Sequence, residues 1–135
     1  MDLTKTRAHM VRSVMEGVVF GLNDSVEIMR ELGVSLSKVV AGGGGARSAL
    51  WRKIQADVFD IPIVTPRESD AAMLGAALLA GVASGVFTTV EEACDSAVSY
   101  GERIEPDPAN KAAYGRAYAR FRSLYPALKA IFKEV

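Results

Sequence analysis

From about Thr4 to Leu32 the apolar residues Val11, Val14, Met15, Val18, Leu22, Val26 and Met29 recur in steps of three and four. That spacing describes one face of a long helix, and it predicts that this face is buried. Arg12, Glu16, Asn23, Glu27 and Arg30 take the other sides. Gly17 and Gly21 lie within the helix, where a glycine costs about 1 kcal/mol relative to alanine, and so predict a close approach by another backbone. Gly33 suits the position after the last helical turn. His9, with no cluster of ligating residues around it, reads as a surface or packing residue.

A short apolar run follows the helix. Ser37 to Ala41 is a predicted strand, β-branched at Val39 and Val40 and too apolar for an exposed edge. Ser48 can cap a second helix in which Leu50, Trp51, Ile54 and Val58 form an apolar stripe while Arg52, Lys53, Gln55 and Asp57 face outward. Trp51 reads as core, with stacking on a base as the minority alternative. Ile61-Pro62-Ile63-Val64 is a second short strand, and Pro62 marks its start or an unpaired edge position. Ser69 or Asp70 offers an N-cap for Ala71 to Ala83, a helix with no charge on any face that must be covered all round. Thr89 to Glu92 is a capping box opening a helix to about Val98, with Cys94 as a small core residue. Ser99 to Asp107 is the one linker-like stretch. Asp107-Pro108 then starts a final helix whose Tyr114, Tyr118, Phe121, Tyr125, Leu128 and Phe132 form a core stripe, with Pro126 placed to bend or restart it.

Two strands around a helix make a βαβ unit, yet two strands cannot bury helices on both faces of a sheet. The chain is therefore expected to be a piece of a larger α/β protein or an obligate oligomer. Its 135 residues predict a single domain over 1–135. Sixteen basic residues balance sixteen acidic ones, which argues against a nucleic acid or an anionic membrane as partner. One cysteine and one histidine exclude a zinc cluster, and the single cysteine cannot form an internal disulfide. The longest weakly polar run falls short of the ~20 residues a bilayer needs. A cytoplasmic location is the expectation.

Chemistry concentrates where the first strand ends, in Gly42-Gly43-Gly44-Gly45-Ala46-Arg47-Ser48. Glycine lets a ligand contact the backbone, and a helix opening next presents free N–H groups to an anion. Two readings stand, a nucleotide cradle and a merely tight loop. No lysine follows the last glycine and Arg47 occupies the third position of G-x-G-x-x-G, so neither of the two best-known phosphate loops is present.

Three stretches resemble the FGGY carbohydrate kinases, and within them the xylulokinases. Arg7 to Gly17 is similar to the helix of the family's second signature. Gly43-Gly44-Gly45-Ala46-Arg47-Ser48, with Trp51 and Gln55-Ala56-Asp57, is similar to its adenine-nucleotide loop and following helix. Ala72-Met73-Leu74-Gly75-Ala76-Ala77, with Ala80-Gly81, resembles the helix packed behind that loop. Leu124-Tyr125-Pro126-Ala127-Leu128 weighs weakly toward xylulokinases.

The resemblance covers nearly all of this chain and only the end of a full-length kinase. It implies an α/β fold, the C-terminal portion of a ribonuclease H-like, actin-like ATPase domain, helix-rich with few strands. It implies ATP, with Mg²⁺ held by the rest of the kinase, on Gly43, Gly44 and Gly45, with Ser48 as a polar contact near the adenine end and Arg47 a neighbour. The sugar, D-xylulose by this resemblance, and the catalytic aspartate would belong to the N-terminal kinase part, so this chain alone is expected to be catalytically incomplete. Glu16 recurs in the family's helix without an evident role. The partners expected are that N-terminal part or a second copy in a homo-oligomer; the competing function is a non-catalytic, helix-rich interaction module.

Overall fold

A computed structural model describes residues 4–68 and 70–133. Helix α1 (Arg7–Glu31) opens after Thr6, whose amide donates to His9 Nδ1 at 3.1 Å, so His9 closes the start of its own helix. It ends before Gly33, held at φ 78°, a left-handed conformation that glycine adopts without strain. Strand β1 (Val39–Val40) leads into the glycines, and a short 3-10 helix (Gly44–Arg47) is followed by α2 (Ala49–Phe59). Then come β2 (Ile63–Pro66), α3 (Ala71–Ala83), α4 (Val90–Ala97), β3 (Tyr100–Ile104), α5 (Pro108–Leu128) and a last 3-10 turn at Ile131–Lys133.

The sheet order is β1-β2-β3. β1 runs parallel to β2, pairing Val39 with Ile63 and Val40 with Val64. β3 is antiparallel to β2 and opposes Ile104 to Ile63 and Arg103 to Val64, with an irregularity between Val64 and Pro66. Two expectations are corrected here. The Ser99–Asp107 stretch carries a strand, hidden from the sequence because Gly101, Glu102 and Arg103 are exposed and break any apolar alternation. β1 is shorter than predicted and is an edge among the described residues, with Val40 exposed.

The core gathers Val19, Val26, Ala41, Ile54, Ala56, Phe59, Ile61 and Ile63 between α1, α2 and the sheet. In α1 the buried residues are Val19, Phe20, Asn23 and Val26, whereas Val11, Val14, Val18 and Leu22 are exposed. Of the predicted stripe, Val26 and Met15 meet this core while Val11, Val14, Val18, Leu22 and Met29 do not, because α1 turns Phe20 toward α5, where its ring lies 6.2, 6.0 and 5.6 Å from those of Tyr114, Tyr118 and Phe121. A Cβ at Gly17 or Gly21 would meet nothing within 4 Å, so neither glycine serves a close approach among the described residues. Helix α2 likewise buries Arg52, Gln55 and Asp57, which sequence spacing had placed outward, and exposes Leu50.

Helix α3 is capped by Asp70, whose carboxylate accepts from the Met73 amide at 2.9 Å; Ser69 lies outside the described residues. Only Leu78 of α3 is buried, and Met73 and Leu79 are exposed. The all-round cover its composition demands is not present among the described residues, where its packing partner is α4. In α5 the aromatic stripe is core only in its first half. Tyr114 is buried and Tyr118 and Phe121 half-buried, while Tyr125, Leu128 and Phe132 are exposed. Pro126 lies inside the last turn, and the helix continues to Leu128.

Glu16, which had no assigned role, joins α1 to α5. Its carboxylate accepts from Arg12 Nε at 2.8 Å and from the Tyr114 hydroxyl at 3.0 Å, while Arg12 Nη2 donates to the same hydroxyl at 2.9 Å. The hydrogen bond to Glu16 raises the Arg12 pKa further. Burial, opposed by Arg12, pushes the Tyr114 hydroxyl up.

Candidate functional site

The glycine run leaves the sheet at the C-terminal end of β1, where Ala41 N donates to Val64 O at 2.8 Å. Gly43 sits at φ 73° and ψ −170°, a conformation essentially confined to glycine, and turns the chain into the 3-10 helix. That helix closes through Ala46 N to Gly43 O at 3.2 Å and Ser48 N to Gly45 O at 3.1 Å. The first N–H groups of any helix have no carbonyl behind them and are open to an anion. Ser48 ends this turn and caps α2, its Oγ accepting from Trp51 N at 3.2 Å, and it keeps its own O–H to donate.

The loop forms one wall of an open cavity of about 330 Å³ that it shares with β2 and the segment after it. Gly42, Gly43 and Gly44 line it with Arg47, Arg52 and Arg67. A Cβ on any of these three glycines would meet no protein atom within 4 Å and would project into free volume. Gly45 differs, since its Cβ would stand 3.5 Å from Trp51 Nε1. The expected site residues Gly43, Gly44 and Arg47 are therefore brought together at the cavity, while Gly45 backs onto the indole and Ser48 holds the helix start.

Arg52 and Arg67 are the residues the sequence did not single out. Arg52 is 9% exposed. Its two terminal nitrogens donate to the Ala46 carbonyl and to Glu102 on β3, so one guanidinium fixes the end of the loop to the far strand. Arg67 is exposed, and its amide donates to Ser99 O at 3.0 Å. The spacing of Ser48 and Arg52 by one helical turn was the available signal for the first; the second arrives through β2–β3 pairing. The exposed guanidiniums of Arg47 and Arg67 beside open backbone amides suit a polyphosphate, while that of Arg52 is held by Glu102 and the Ala46 carbonyl. Among the described residues no group of three His, Cys, Asp or Glu is placed to hold a metal ion.

Residues 1–84 match the C-terminal domain of the FGGY family of carbohydrate kinases. This chain belongs to that family. A xylulose kinase of Bacillus subtilis is 33% identical over 129 residues, covering 96% of this chain and 26% of that protein. One from Staphylococcus epidermidis is 32% identical over 126 residues, covering 93% of this chain and 25% of its own length. Among solved FGGY-type structures, the xylulose kinase from Rhodospirillum rubrum superposes with a TM-score of 0.84 at 31% identity, over 98% of this chain and 27% of that one. A xylulose kinase from Brucella ovis does so at 0.86 and 32%, over 97% and 27%. The chain thus spans about a quarter of the length of these FGGY relatives. Its architecture is the C-terminal part of the actin-like ATPase fold expected from the resemblance, and no helix among the described residues is long and apolar enough to cross a membrane.

Proposed function

We propose that this chain supplies the ATP-binding wall of a xylulokinase-like enzyme, which moves the γ-phosphate of ATP onto a hydroxyl of a ketopentose, D-xylulose by similarity to its relatives. The observation that carries the reading is the loop of Gly42, Gly43 and Gly44, whose missing Cβ atoms open the cavity that Arg47, Arg52 and Arg67 share. Gly43 and Gly44 pass under the phosphates, Arg47 and Arg67 meet their charge, and Gly45 and Ser48 set the turn that presents the amides. ATP supplies the transferable phosphoryl group; this chain's residues bind and orient it. The base that deprotonates the sugar, and the carboxylates that hold Mg²⁺, belong to the remaining kinase portion, since phosphoryl transfer rests on positioning and charge stabilisation around the γ-phosphate. As one unit over 1–135, the chain is a nucleotide-binding part and not a catalyst by itself.

Calorimetric titration with ATP·Mg²⁺ tests this on the chain and on Gly44→Val. The chain binds and the variant does not, and neither turns over any sugar in a phosphorylation assay. Equal binding by both would remove the loop from the site, and turnover by the chain alone would show that the base is within it.

A further inference from the structure

We propose that the cavity between α1, the C-terminal half of α2 and α5 is a binding site for a small neutral polyhydroxylated molecule, a sugar or polyol. It is separate from the glycine loop. Arg52 is the α2 residue that lines the loop's cavity, whereas Asp57 and Val58, more than one helical turn further on, line this one. The site does not depend on the nucleotide reading above.

The cavity measures about 240 Å³. That is below the ~300–1,000 Å³ of sites for drug-sized ligands and well above the ~30 Å³ that one water occupies, so it has room for a compact molecule of a few carbons. Asn23 of α1 lines it and is 3% exposed, yet its Oδ1 has no hydrogen-bond partner. A buried amide left unpaired is costly, and it calls for an occupant that completes it. Gly115 lines the cavity from within α5. Glycine in a helix interior is unfavourable relative to alanine, and a Cβ here would meet nothing within 4 Å. No protein packing therefore calls for the glycine; what the missing methyl leaves open is the cavity.

The charges around this space come in pairs. Arg30 donates to Glu27 and to the Phe59 carbonyl, Lys111 donates to Asp60, and the buried Asp57 pairs with Lys53. An anion or a cation would have to break a pair before it found a partner, and a neutral ligand need not. Each pair nevertheless keeps spare capacity. The Lys111 ammonium and the Arg30 guanidinium have further N–H groups, and the Glu27 and Asp60 carboxylates have further lone pairs. Donors and acceptors are thus offered side by side, and a hydroxyl satisfies both. Tyr114 and Tyr118 send their hydroxyls to Glu16 and Asp24, so their rings line the cavity and give the ligand's carbon skeleton an apolar surface.

Calorimetric titration of the chain with xylitol and with myo-inositol tests this, with sodium phosphate and methylammonium chloride as charged probes. At least one polyol is expected to saturate a single site with a Kd of about 1 mM or below, and neither charged probe to saturate. Gly115→Ala fills part of the cavity and improves the helix, so its Tm is expected to hold or rise while polyol affinity falls at least about tenfold. Asn23→Leu replaces an amide whose oxygen has no protein partner; it is expected to keep the fold and to weaken the polyol by a similar factor. The proposal is overturned if neither polyol saturates, or if both variants bind the polyol as the parent chain does. It is also overturned if a charged probe is the ligand that both variants lose, or if ATP·Mg²⁺ displaces the polyol, which would place it at the glycine loop instead. Failure of ATP to bind, with the polyol results intact, would remove the nucleotide reading and leave this site standing.

Discussion

Asp57 and Asn110, on different helices, are joined by a 2.9 Å hydrogen bond from Asn110 Nδ2 to Asp57 Oδ2. The same carboxylate accepts from the Asp107 amide at 2.7 Å through Oδ1 and pairs with Lys53 Nζ at 2.9 Å. Its side chain is 2% exposed. A buried carboxylate so fully partnered locks the N-terminus of α5 onto α2, the helix that begins where the glycine loop ends.

Replacing Asp57 by alanine leaves the Asp107 amide and the Asn110 amide group without their acceptor. The expected loss is about 3 kcal/mol, read from denaturant unfolding with an unchanged m-value. Asn110→Ala removes one arm only and is expected to cost about 1 kcal/mol. Equal costs would show that the clamp works through Asn110 alone.

Two neighbouring glycines are expected to respond in opposite ways. Gly43 is at φ 73°, so Gly43→Ala strains the backbone and is expected to cost about 1–3 kcal/mol. Gly44→Ala meets no protein atom and is expected to leave stability within about 0.5 kcal/mol while weakening ATP binding, because its methyl enters the cavity. Thermal melts and nucleotide titration on the pair separate fold from ligand.

Ser48→Ala removes the oxygen that accepts from Trp51 N and is expected to destabilise the chain by about 1 kcal/mol. Ser48→Asp keeps a cap and restores that stability, but places a carboxylate beside the proposed nucleotide loop, so nucleotide affinity is expected to fall even though the fold recovers. An affinity equal to that of the parent chain would exclude Ser48 from the ligand's surroundings.

The Tyr118 hydroxyl donates to Asp24 Oδ1 at 2.5 Å. Burial, and then that hydrogen bond, push its pKa up to about 12 from an ordinary 10.0. The folded chain keeps this proton where the unfolded chain has released it, so the contribution is complete below about pH 10 and is lost as pH rises toward about 12. Unfolding midpoints are expected to fall across that window and to fall less steeply in Tyr118→Phe. Tyr114, raised in the same direction, accounts for part of the remaining slope.

Local features were legible in the sequence and distant pairings were not. Ser48, Asp70, Thr89 and Asp107 all cap the helices assigned to them, because a cap binds an amide two or three residues away. Gly33 ends α1 for the same reason. The buried side of α2 was misread because Asp57 and Arg52 find partners about 50 residues along the chain, where helical periodicity carries no information. A polar residue with a distant partner looks like a surface residue. In α1 the periodic stripe meets the core only at Met15 and Val26, while Val11, Val14, Val18 and Leu22 are exposed. At the candidate site, the turn at Gly43 was readable from composition, whereas the approach of Arg67 depends on β2 pairing with β3.

Arg52 draws the Ala46 carbonyl and Glu102 to a single guanidinium, so the loop's curvature is fixed by a residue behind it. The consequence is kinetic. If the loop holds the nucleotide as proposed, one already bent to its final shape has little conformational search left to make, and capture is expected to proceed at the rate of encounter. Arg47 and Arg67, exposed at the rim, are then expected to set that rate through their field, which added salt screens within about 10 Å at 0.1 M.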